Sequence, residues 1–180
     1  QDKEGHVRKQ ELGQDLLYHA HHRPPGMSED GHERHRLCAS AITRKKGRIT
    51  IIDLAQTWLD DIDPEKFGYL MGPQDQVIYH AIKAGIPPWD IGRYASWPAF
   101  IGTSKMMMPV GMVNACNPEQ AAQDALELGR LKDILGVKGN YALEVAVGVA
   151  AAPAAEALKP DATVERIIAT ALSYLSMTPR

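Results

Sequence analysis

The chain has 180 residues, 44% of them apolar by type, which suits one ordinary domain with its own core. Its 20 Lys and Arg nearly balance 22 Asp and Glu, so no global field draws nucleic acid or an anionic membrane, and neither is expected as a partner. Cys38 and Cys116 are far apart and lack metal-type spacing, which excludes a disulfide framework and points to a reducing, cytoplasmic location. No signal pattern and no bilayer-length apolar run is present, so a soluble protein is expected.

In chain order, residues 1–23 open with a charged stretch (Gln1 to Gln10) poor in apolar side chains and read as an arm or a trimmed segment. The domain is expected over 24–180. From Pro24 the sequence runs Pro-Pro-Gly-Met-Ser-Glu-Asp-Gly-His-Glu-Arg-His-Arg, a turn rich in hard oxygen donors that leads into a helix. Ser28, Glu29 and Asp30 are consecutive and could aim three oxygens at one Mg²⁺, Ca²⁺ or Mn²⁺. The alternative is that Ser28 caps the helix while Glu29, Asp30 and Glu33 favour its positive end. His19, His21, His22, His32 and His35 cluster upstream of the first firm helix, but their spacing does not match the zinc motif His-Glu-x-x-His. His32, next but one to Asp30, is retained as a candidate site residue.

The periodicity then predicts helix after helix. Leu37, Ala41 and Ile42 share a face of a helix from near Gly31 or His32 to a stop at Gly47. Thr50 and Asp53 form a capping box for a helix that turns Leu54, Trp58 and Leu59 inward and ends by Pro64. The acidic run Asp60, Asp61, Asp63 and Glu65 at that end reads as a solvated face in preference to a metal site. Gly72-Pro73 opens a helix with Val77, Ile78, Ala81 and Ile82 apolar, closed by Gly85 before Pro87-Pro88. Trp89, Tyr94, Trp97 and Phe100 could wall a flat base, or simply pack beneath a loop.

Ile101-Gly102-Thr103-Ser104-Lys105, followed by three methionines, could bring backbone amides of Gly102 to Ser104 and the Lys105 charge to a phosphate or ribose. A glycine turn into a buried Met-rich helix is the competing reading. Asn117-Pro118-Glu119-Gln120 is the clearest helix start, with an end expected near Leu131. Residues 139–152 are apolar nearly all round and fit a helix central in a bundle. Asp161 is expected to cap a last helix through Val164, Ile167, Ile168, Ala171, Leu172 and Leu175. No alternating strand pair with a hairpin turn occurs, so the fold is expected to be all-α.

The order of these pieces resembles the ADP-ribosylglycohydrolase family. The Pro-Pro-Gly turn, the acidic triplet, the Ile49–Leu59 segment, the Gly-Thr-Ser and Met-Pro segment, Asn-Pro-Glu-Gln-Ala-Ala and an alanine-rich helix follow one another over about Pro24 to Leu175. The resemblance implies an all-helical bundle that cleaves a ribosyl glycosidic bond, such as ADP-ribose on a protein or small molecule, with Mg²⁺ or Mn²⁺ as cofactor. Family members usually carry Thr-Asp-Asp-Thr where this chain has Ser28-Glu29-Asp30-Gly31, which makes Ser28, Glu29 and Asp30 the implied metal ligands. Glu29 or Asp30 is then the implied base, and Gly102, Thr103, Ser104, Lys105 and His32 the implied substrate contacts. The family's late Asp-x-Asp-Thr motif, its glycine-rich opening, an arginine beside the methionines and a His near Leu131 are not found here. The chain is therefore expected to be a fragment that associates with a further part of its own protein, or a divergent member. A homo-oligomer, an inactive nucleotide- or sugar-binding homologue and a purely structural helical protein are the other expectations.

Overall fold

The computed structural model describes residues 30–66, 71–95, 101–134 and 141–175. Among these no strand occurs, and the elements are helical throughout, in keeping with the all-α expectation. No helix among them is long and apolar enough to cross a membrane.

The first helix, α1 (Asp30–Lys45), buries Leu37, Cys38 and Ala41 on one face, as the spacing requires, together with Glu33 and Arg34. It ends one residue earlier than expected. Lys46, not Gly47, adopts the left-handed conformation (φ 57°), and the Gly47 amide donates back to the Ile42 carbonyl. Helix α2 (Ile51–Asp61) carries the expected capping box: the Asp53 amide donates to Thr50 Oγ1 and the Thr50 amide to Asp53 Oδ2. Its buried Leu54 and Trp58 fill the space between α1 and the helices that follow. A short 3-10 turn, Pro64–Lys66, follows.

Helix α3 (Pro73–Lys83) departs from the expected inner face. Gln74, Asp75, Ile78 and Tyr79 are buried, whereas Val77 is 43% exposed. The reason is tertiary: polar partners from other elements draw the Gln74 and Asp75 side inward. Gly85 (φ 81°) closes α3, with the Ile86 amide donating to the Ala81 carbonyl, and helix α4 (Pro88–Ala95) starts at the second of the two prolines.

A 3-10 segment, Ile101–Met106, leads into the short α5 (Met108–Val113), and Met106 and Met107 are fully buried. The Met-rich run is thus core material, although Met108 and Met112 face outward. Helix α6 (Pro118–Gly129) is capped by Asn117, whose side chain accepts from the Gln120 amide. A hydrogen-bonded turn carries the chain on to Lys132.

The alanine-rich stretch runs through α7 (Ala142–Val145), a π-helical turn (Ala146–Ala151) and α8 (Ala152–Ala157). Pro153 explains the π turn. Its ring clashes with the carbonyl four residues back and it lacks a donor, and the widened turn, with the Ala152 amide donating to Val147, absorbs this. Small residues let the partners close in: a Cβ on Gly111 would lie 2.4 Å from the Ala151 carbonyl oxygen. The last helix, α9 (Val164–Leu175), packs on α8 and the π turn but buries no residue fully. Thr163, not Asp161, caps it, accepting from the Arg166 amide at 3.3 Å; Asp161 is instead paired with the Arg166 guanidinium.

Candidate functional site

The acidic triplet is only partly within view. Asp30 is the first residue of α1, while Ser28 and Glu29 lie outside the described residues, as do His19, His21, His22, Trp97 and Phe100. His32 is exposed on the opening turn of α1, and His35 is half-buried. The donor set of the triplet, one hydroxyl and two carboxylates, suits a hard divalent cation. Among the described residues no group of three His, Cys, Asp or Glu side chains is disposed around a common point.

The 101–106 segment packs directly on α1. Gly102 and Thr103 are buried, Ser104 is half-buried and Lys105 is exposed. The Thr103 hydroxyl donates to the Asp133 carboxylate and is engaged within the fold. Trp89 and Tyr94 on α4 are exposed, at 44% and 66%.

What the sequence did not reveal is a layer of buried polar side chains beneath these segments. Arg34, one helical turn after Asp30, forks onto Asp75 through Nε at 2.7 Å and Nη2 at 2.6 Å, with the pair 2% and 0% exposed. Asp75 also accepts the Gly72 amide at 2.9 Å and so ties the start of α3 to the start of α1. Next to it, Gln74 donates to the Ala95 carbonyl at 2.5 Å and accepts from the Lys132 ammonium. Asp133 then receives Thr103. Through the adjacent pairs Gln74-Asp75 and Lys132-Asp133, five elements are linked by buried polar contacts: α1, α3, the end of α4, the 101–106 segment and the turn after α6.

The Lys132-Asp133 turn is held by close backbone packing. The Gly92 amide donates to the Arg130 carbonyl at 3.0 Å, and a Cβ on Gly92 would fall 2.4 Å from the Asp133 carbonyl oxygen. Gly92 is therefore required to be glycine by a close approach of backbones. No sequence motif marks this layer, since its partners are separated by 41, 58 and 30 positions. The only local hint was a pair of charged residues, Lys132-Asp133, directly after a helix end.

The acidic run that begins in the last turn of α2 is taken up in local contacts. Asp61 accepts from Arg44, whose guanidinium is held more firmly protonated by that bond, and lies 3.5 Å from Arg36. Asp60 accepts from Gln56, and Asp63 from the Glu65 amide. Cys38 is buried in the α1 face, and desolvation pushes its thiol up to about 12, which leaves it protonated and unreactive at neutral pH. In comparisons with known proteins, no family model, no curated protein and no solved structure matches the chain.

Proposed function

We propose that the chain is a divalent-metal-dependent hydrolase that cleaves a ribosyl glycosidic bond, with its site where α1 opens beside the 101–106 segment. One observation carries the reading: α1, whose first residue is Asp30, packs on the 101–106 segment over a buried layer that runs from Arg34 to Thr103. Buried ionic groups are a poor way to stabilise a bundle, because apolar side chains of similar size would serve as well or better. Their presence at this end of the fold fits a framework that holds a polar site in register.

Ser28, Glu29 and Asp30 would hold Mg²⁺ or Mn²⁺, which when bound supplies Lewis-acid polarisation of ribose oxygens. Glu29 or Asp30 takes a proton from the attacking water as the water oxygen bonds to the anomeric carbon, and the leaving group departs with the bonding electron pair and takes up a proton from solvent. The carboxylates also stabilise the positive charge that builds on the sugar in an oxocarbenium-like transition state. Lys105 and the Gly102 to Ser104 backbone are the candidate contacts for a diphosphate, and His32 for the ribose side.

The test is calorimetry and product analysis with Mg²⁺ and an ADP-ribosylated substrate on wild type and Asp30→Ala. Metal-dependent release of ADP-ribose that disappears in the variant is the expected result. Release unchanged in Asp30→Ala would remove the assignment. Metal-linked ADP-ribose binding without release would favour the inactive binding homologue.

A further inference from the structure

A cleft of about 360 Å³ opens at the start of α6, roughly 18 Å along that helix from the buried polar layer. Its walls include Pro118 at the start of α6, Glu156 in α8, Lys159 just beyond, and Arg166, Thr170 and Tyr174 on α9. Glu156 is only 3% exposed and receives Lys159 Nζ at 2.7 Å and Arg166 Nη2 at 3.2 Å. The other arm of Arg166 is held by Asp161.

This charge arrangement selects the chemistry of a ligand. Lys159 and Arg166 are already paired with carboxylates, Glu156 in the wall of the cleft and Asp161 outside it, so neither an anion nor a cation entering the cleft finds an uncompensated opposite charge. A neutral molecule with several hydroxyls needs none. It can accept from the remaining N–H groups of Lys159 and Arg166 and donate to the remaining lone pairs of Glu156. Thr170 and Tyr174 lie four positions apart on one face of α9, and no other described residue engages their hydroxyls. The Tyr174 ring and Pro118 add apolar surface for the face of a sugar. Burial, with Glu119 nearby, raises the Tyr174 phenol above its usual range, so it is a donor at neutral pH.

From these observations we infer that the cleft between α6, α8 and α9 binds a neutral polyol of pentose or hexose size. Its volume lies at the small end of the roughly 300–1,000 Å³ range of small-molecule sites. The inference is independent of the site at the start of α1.

Backbone-amide NMR of the full chain, titrated with D-ribose, D-glucose and, as an anion control, sodium phosphate, tests it. Expected are saturating shifts at the Thr170 and Tyr174 amides with at least one sugar. Tyr174→Phe and Thr170→Val each remove one hydroxyl with little change of shape and should weaken that binding about 3-fold or more, the size of one lost hydrogen bond. Thermal melts of both variants confirm that they fold. No saturating shift with either sugar, the same affinity in both folded variants, or tighter saturation of these amides by phosphate than by sugar would overturn the inference.

Discussion

Replacing Asp75 by alanine is the sharpest test of the buried layer. The carboxylate accepts Arg34 Nε at 2.7 Å, Arg34 Nη2 at 2.6 Å and the Gly72 amide at 2.9 Å, and is fully buried. Its removal takes two hydrogen bonds and a buried counter-charge from a guanidinium that is 2% exposed, and breaking such a pair costs about 3–5 kcal/mol. For a domain of this size each kcal/mol lowers Tm by about 2–4 °C, so a fall on the order of 10 °C is expected. Loss of the Gly72 contact, a helix-start interaction, adds to this. The double variant Arg34→Met/Asp75→Leu removes both charges together and should recover much of the loss, because the desolvation cost disappears along with the attraction. Urea and thermal melts of both single variants and the double complete a cycle. A loss below about 1 kcal/mol in Asp75→Ala, or a double variant no more stable than the worse single one, would refute the view of Arg34 and Asp75 as a tightly coupled buried pair.

Gly92→Ala forces a Cβ to within 2.4 Å of the Asp133 carbonyl oxygen, which must shift, and a loss of about 1–3 kcal/mol is expected in urea melts; an unchanged midpoint would contradict the close packing. Asp124 is buried, but Arg48, Asn114 and Gln120 outweigh the desolvation and hold its carboxyl below the usual range. Its contribution is therefore complete above the unfolded value of about 3.9 and is lost as pH falls through the lower folded value. Asp124→Asn should lower stability at pH 7 and flatten the acid limb of the stability profile below about pH 4, and parallel profiles for variant and wild type would exclude this role. Native protein at pH 8 should take up one equivalent of iodoacetamide, at exposed Cys116, and two only when unfolded, since Cys38 is buried and its thiol lies near 12. Rapid labelling of both, followed by mass spectrometry, would argue against the buried face of α1.

Sequence alone determined the features that depend on neighbours along the chain. The Thr50-Asp53 capping box, the Asn117-Pro118 start, the Gly85 stop and the 3.6-residue apolar stripe of α1 are local devices whose partners lie within one or two turns, so composition and spacing suffice to read them. The all-α class followed from their sum. Tertiary structure alone decided where those local rules gave way. Val77 turned outward because Arg34 and Lys132, remote in sequence, pulled the Gln74-Asp75 side of α3 inward, and Lys46 took the strained position that Gly47 could have filled without cost. It likewise assembled the layer from Arg34 to Thr103, since a buried charge is tolerated only where a distant partner satisfies it, and no local pattern encodes that meeting.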